Sequence, residues 1–139
     1  MATKTKPFLS HTAADLMIPV VVTIPQDATV GAAAALLQEH AVSGLPVVDR
    51  EGRCVGVLSA ADFVRIWARG ERSDVQVREV MTPDPVTGDL NTSITDLSRM
   101  MIDARIHRVI VTDEDAKPIG IVSSTNILAA VIYKSQSLR

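Results

Sequence analysis

The strongest constraint on this chain is an internal repeat. Met17 and Met81 both stand in a hydrophobic-Met-x-Pro setting, 64 residues apart. The same offset pairs Pro19 with Pro83, Val22 with Val86, Thr23 with Thr87, Val47 with Val111, Asp49 with Asp113, Gly56 with Gly120 and Ser59 with Ser123, with no gap. A register that holds across glycine, prolines and hydroxyl residues together marks a tandem duplication. Two copies of one supersecondary unit are therefore expected.

Each copy orders its signals alike. An extended segment, Val20-Val21-Val22-Thr23 or Pro85-Val86-Thr87, follows a proline, which disfavours helix at the residue before it. A helix comes next. In copy two Ser93 and Asp96 form a capping-box pattern ahead of Ile94, Leu97 and Met101 at helical spacing. In copy one an alanine-rich run over about residues 30–40 carries a stripe of Val30, Ala34, Leu37 and Ala41. Residues 45–49 and 53–58 then flank the turn Arg50-Glu51-Gly52, and residues 109–113 and 119–122 flank residues 114–118. Near-continuous Val, Ile and Leu in these runs predict hairpin strands covered on both faces. A last helix starts at Ser59 and runs through Phe63, Ile66 and Trp67, or starts at Ser123 and runs through Ile127, Leu128 and Val131.

The unit is thus strand–helix–strand–strand–helix, an α/β (α+β) arrangement. One copy does not cover a three-stranded sheet, so the two are expected to pack as a pseudo-twofold pair. The boundaries fall at an N-terminal tail (1–12), repeat one (13–68), a polar linker (69–76), repeat two (77–133) and a C-terminal tail (134–139).

Composition narrows the function classes. The chain has 139 residues, 47% hydrophobic, enough for a sizeable core. Its 14 Lys and Arg against 16 Asp and Glu leave no general basic face for a nucleic-acid backbone. Aromatics at 3% leave few stacking platforms for single strands. The lone Cys54 forms no intrachain disulfide and reads as a small hydrophobe in a strand. No apolar run approaches the ~20 residues that cross a bilayer, and residues 1–12 lack the apolar core of a secretory signal. A cytoplasmic protein with no membrane partner is expected.

Three features now converge: the opening Met81-Thr82-Pro83 with Val86-Thr87, the hairpin ending Gly-hydrophobic-hydrophobic-Ser, and the helix start Ser-x-x-Asp or Ser-x-x-Asn. Each has its counterpart in the other copy. On these the chain resembles a CBS-domain pair, or Bateman module, over about residues 13–133. The resemblance implies a pseudo-symmetric, disc-like pair that forms a homodimer and has clefts for adenosine-containing ligands. AMP, ADP and ATP are the implied effectors, S-adenosylmethionine is less favoured, and no cofactor is required. A regulated protein partner is implied without being identified.

The candidate ligand residues follow. Ser59 and Asp62 have capping-box spacing, which alone explains them as a helix start. Asp62 also suits a ribose, because a carboxylate offers only acceptors, arranged to take two hydroxyls. In copy two Asn126 stands in its place and serves a diol less well, while Ser123 and Thr125 keep the hydroxyls. His107-Arg108 is either an exposed polar pair or a phosphate clamp, since a guanidinium forks onto phosphate oxygens. It resembles the phosphate-contacting pair in the gamma subunit of AMP-activated protein kinase. Copy one has Ser43-Gly44 there, so the two copies are not equivalent. Thr23 and Thr87 offer hydroxyls after the first strand; Val22, Val86, Val42, Ile106 and Pro46 would sandwich a base or simply fill the core.

A catalytic reading has no constellation behind it. His11 and His40 lack a nucleophile or metal partner at recognisable spacing, and no Gly-rich phosphate loop or paired-cysteine motif is present. The leading expectation is a non-enzymatic regulatory module sensing an adenine nucleotide. The alternative is a dimerisation or protein-interaction module that needs no ligand.

Overall fold

The computed structural model describes residues 7–20 and 22–137. Residues 1–6 and 138–139 of the expected tails, and Val21 of the first expected strand, lie outside them. In chain order a 3-10 turn (Phe8–Ser10), α1 (Ala13–Leu16) and β1 (Ile18–Pro19) come first. Next are β2 (Ile24–Pro25), α2 (Val30–Glu39), β3 (Gly44–Val48), β4 (Cys54–Ser59) and α3 (Ala60–Ala68). Then α4 (Val77–Val80) and β5 (Thr82–Pro83) lead to β6 (Thr87–Gly88), α5 (Ile94–Ala104), β7 (Arg108–Thr112), β8 (Pro118–Ser123) and α6 (Ser124–Ser137).

Two compact units result, and they are interleaved along the chain. Unit one takes the described residues up to Pro19, Val86–Asp113 and those from Ile119 onward; unit two takes Val20–Pro85 and Glu114–Pro118. Most of the second repeat thus folds with the opening of the first, through α1 and β1, and most of the first folds with the linker and the opening of the second, through α4 and β5.

Unit one is a four-stranded sheet in the order β1-β8-β7-β6, with β1 antiparallel to β8 and β6 parallel to β7. Unit two repeats it as β5-β4-β3-β2, with β5 antiparallel to β4 and β2 parallel to β3. The order strand–helix–strand–strand–helix is present in both repeats. The expected three-stranded sheet gains a fourth, edge strand, β1 or β5, from outside the repeat. The first ladder strand also starts later than expected, at Ile24, leaving Val20, Val22 and Thr23 outside it.

Backbone hydrogen bonds show why the flanking segments belong where they do. The first N–H groups of a helix have no intrahelical acceptor. The Val30 N–H at the start of α2 donates to the linker carbonyl of Val75 at 2.8 Å, and Gly31 donates to Ser73 at 2.9 Å. In unit one the Ile94 N–H at the start of α5 donates to the His11 carbonyl at 3.0 Å. Residues 7–12 are therefore packed rather than a free tail. The His11 ring is buried, edge-on to Phe8, with Nδ1 3.6 Å from Asp15.

The cores follow the periodicity. Ile94, Leu97 and Met101 are buried on α5, against Val109 and Val111 of β7, Val122 of β8, and Leu16. Unit two buries Ile24, Val30, Leu37, Leu45, Val47, Leu58, Phe63 and Ile66. All of β3 is buried, as its unbroken apolar run requires. The buried face of α2 is Val30, Ala33 and Leu37, rotated from the expected stripe through Ala34. Ala41 lies past the helix end, exposed, at φ 52°; its repeat counterpart Arg105 ends α5 at φ 55°. Both are left-handed turns that stop a helix. Ser93 caps α5 by accepting the Asp96 N–H at 3.1 Å, and the reciprocal half of the expected box is not formed.

One packing device recurs in each unit. Met17 of unit one lies over Gly120 of β8, and Met81 of unit two lies over Gly56 of β4. A Cβ on Gly120 would stand 2.3 Å from Met17 Sδ, and one on Gly56 would stand 2.4 Å from Met81 Sδ. Glycine is required at both positions by this close approach, not by backbone angles.

Candidate functional site

In unit one β7 and α6 are tied at their starts. The Ser124 N–H, the first of α6, donates to the His107 carbonyl at 2.8 Å. That bond brings the backbone of His107, next to Arg108 in the chain, beside the hydroxyl-rich helix start. There Asn126 Oδ1 accepts the Ser123 N–H at 2.8 Å, and Ser123 Oγ accepts the Asn126 N–H at 3.2 Å. Ser123 Oγ also lies 2.8 Å from Thr125 Oγ1. The result is a capping box in amide form. His107 is exposed, and Arg108 and Ile106 are half-buried. Thr87 pairs with Ile110 on β6 with its side chain exposed; Val86 just before it is half-buried.

A groove of about 450 Å³ runs beside this cluster, between α5 and the first turns of α6. Ile106 and His107 line it together with Met101, Arg105, Ser124 and Ile127. It is an apolar trough with a guanidinium and an imidazole along its wall. Arg108, Ser123, Thr125 and Asn126 do not line it.

Unit two repeats the tie, the Ala60 N–H donating to the Ser43 carbonyl at 2.8 Å, but no cation sits at Ser43-Gly44. Its helix start is a full capping box. Asp62 Oδ2 accepts the Ser59 N–H at 2.7 Å and the Ser59 hydroxyl at 3.1 Å. Asp62 is buried, and its Oδ1 accepts from the Arg65 guanidinium one turn along α3. Arg65 was not singled out from the sequence. The signal was there: Asp and Arg three apart on a helix lie on one face and pair.

Of the remaining candidates in unit two, Thr23 is half-buried just before β2. Val22 and Val42 are partly buried against the core, and Pro46 is buried in β3 opposite Val57. Cys54 is half-buried on β4, and burial pushes its thiol up, away from the reactive thiolate. Among the described residues no group of three or more His, Cys, Asp or Glu is placed to hold a metal ion, and no helix is long and apolar enough to cross a membrane.

Two repeated sheet units, each with a polar helix start tied to a neighbouring strand, define a CBS pair. The CBS domain model matches twice, over residues 13–69 and 77–133, and the chain belongs to the CBS-domain family. The CBS domain-containing protein YhcV of Bacillus subtilis is 34% identical over 110 residues, covering 78% of this chain and 77% of YhcV. Inosine-5'-monophosphate dehydrogenase of Methanocaldococcus jannaschii is 32% identical over 114 residues, 82% of this chain, but the match spans only 22% of that enzyme. Among solved structures, CBSX2 in complex with AMP matches with a TM-score of 0.75 at 26% identity, over 88% of this chain and 97% of CBSX2.

Proposed function

We propose that the chain is a regulatory module, acting in the cytoplasm, that binds an adenine nucleotide (AMP, ADP or ATP) and is not itself an enzyme. The carrying observation is the bond from the Ser124 N–H to the His107 carbonyl, which ties the His107-Arg108 backbone to a hydroxyl-rich helix start. There Arg108 and His107 take the phosphate, with Ser123 and Thr125 as hydroxyl contacts. A nucleotide bound in unit two by itself sets its ribose on Asp62. CBSX2, alike over nearly its whole length, is a complex with AMP, which supports this class of ligand. S-adenosylmethionine is less favoured, because it carries no phosphate and places a cationic sulfonium on the 5' carbon where AMP has its phosphate ester. The ligand changes the protein's state only as far as its affinities for two states differ.

Arg108→Ala is expected to weaken AMP binding by roughly 10- to 100-fold, the worth of a hydrogen bond to a charged group. Titration calorimetry reads this directly. An unchanged affinity would remove Arg108 from the site, and failure of AMP, ADP, ATP and S-adenosylmethionine alike to bind the wild type at millimolar concentration would sink the proposal.

A second reading, a dimerisation or interaction module that needs no ligand, is favoured by exposed apolar side chains. In unit one Leu128 and Ile132 of α6 are 57% and 45% exposed; in unit two Val64 and Trp67 of α3 are 71% and 50% exposed. Such side chains in numbers mark contact surfaces. Homodimerisation through α6 predicts that Leu128→Glu gives monomers by sedimentation, with AMP affinity kept. A wild-type chain already monomeric at micromolar concentration would contradict it.

A further inference from the structure

We infer that Arg65 is a latch on the Asp62 carboxylate, and that it biases unit two toward phosphate-bearing adenosine ligands over uncharged ones. The inference rests on the reading of Asp62 as a ribose contact. A carboxylate has roughly four lone-pair directions. Oδ2 already accepts the Ser59 N–H and hydroxyl, and Oδ1 accepts from Arg65. A ribose diol brings two O–H donors. With Arg65 in place, Oδ1 has one direction left to receive them.

The latch therefore opens before the diol seats, and its moving part is the guanidinium. The Arg65 side chain is 60% exposed, whereas that of Asp62 is 8% exposed. What leaves with Arg65 is the charge that compensates a buried carboxylate, and losing such a partner is costly. The hydroxyls of a neutral ligand supply hydrogen bonds but no charge. A phosphate gives the displaced guanidinium a forked acceptor of its own and so holds that charge beside the carboxylate instead of releasing it to solvent.

The device belongs to unit two alone. At the 64-residue offset the counterpart of Arg65 is Ala129, and that of Asp62 is the uncharged Asn126. The complementary asymmetry is the cation at His107-Arg108, absent at Ser43-Gly44. The cation at the strand start and the latch on the helix thus fall in different units, Arg108 in unit one and Arg65 in unit two.

The test is to titrate AMP and adenosine into the wild type, Arg65→Ala and Arg65→Lys, while following the Arg65 Nε–H resonance by NMR. The wild type should favour AMP, and Arg65→Ala should narrow the AMP-to-adenosine preference by about fivefold or more, since a solvent-facing pair is worth at most that much and the Asp62 end of this one is buried. Part of that change should come from tighter adenosine binding, which a merely structural role for Arg65 does not give. Arg65→Lys should fall between the two. The Arg65 resonance should shift on saturation with AMP. An unchanged preference with an unmoved resonance overturns the latch and leaves nucleotide binding standing. Binding of neither ligand by the wild type overturns both.

Discussion

Leu58→Ala is expected to lower the stability of this protein by about 3 kcal/mol, and Leu97→Ala by a similar amount. Leu58 sits on β4 directly opposite Leu45 of β3, and both are fully buried. Truncation removes three carbons from a closed cluster, and neither the strand pair nor the helices over it can collapse into the gap without breaking their own contacts. Leu97 is the counterpart test in unit one, fully buried on α5 against Val109, Val111 and Val122. Against a typical total of about 5–15 kcal/mol, either loss is large. Urea unfolding gives the midpoint shift. Trp67, the sole tryptophan, lies in unit two 6.4 Å from Phe63 and reports that unit's melting by fluorescence. A loss below about 1 kcal/mol, small for any buried leucine, would mean that the cluster is not closed.

The second large effect is expected from Gly120→Ala and Gly56→Ala, each destabilising by roughly 1–3 kcal/mol through overpacking. At Gly120 the new methyl meets Met17 Sδ at 2.3 Å, Cγ at 2.9 Å and Cβ at 3.0 Å. Three successive atoms of one side chain are too close, so swinging its tip aside is not enough; the backbone of β1 has to yield. At Gly56 the methyl meets Met81 Sδ at 2.4 Å and the backbone carbonyl of Thr82 at 3.0 Å, so β5 is pushed as well. Thermal melting should show both losses. Combining Gly56→Ala with Met81→Ala should recover much of the damage, a non-additivity that residues in direct contact produce. Strict additivity would show that the methionine is not what excludes the side chain.

Much of the architecture was legible in the sequence because it is written in long signals. The 64-residue register located both hairpins, and helical spacing picked out Ile94, Leu97 and Met101 as a buried face. The edge strands were not legible for a physical reason. Ile18–Pro19 and Thr82–Pro83 are two residues each and end in proline, too short for any alternation to develop. Their pairing is set by distant partners, Gly120 and Gly56, where only the methionine ahead of each strand hints at contact. The candidate site divides likewise. The capping spacing of Ser59 with Asp62 and of Ser123 with Asn126 was readable locally. The tie from Ser124 to His107 joins residues far apart in the chain and needed the fold. Arg65 falls between these cases: its spacing to Asp62 is local, yet it lies off the apolar stripe of Phe63 and Ile66 that marks the helix.

The interleaving of the two units bears on how such a chain can be cut or inherited. A fragment beginning at Val77 would leave the Ile94 N–H without the His11 carbonyl and β8 without β1. A fragment ending at Ala68 would strip α2 of its acceptors at Ser73 and Val75, and β4 of β5. Neither repeat carries a complete hydrogen-bond inventory by itself. The heritable cassette is therefore the pair with its leading strap, and a gene fusion that transplants one repeat moves an unfinished sheet.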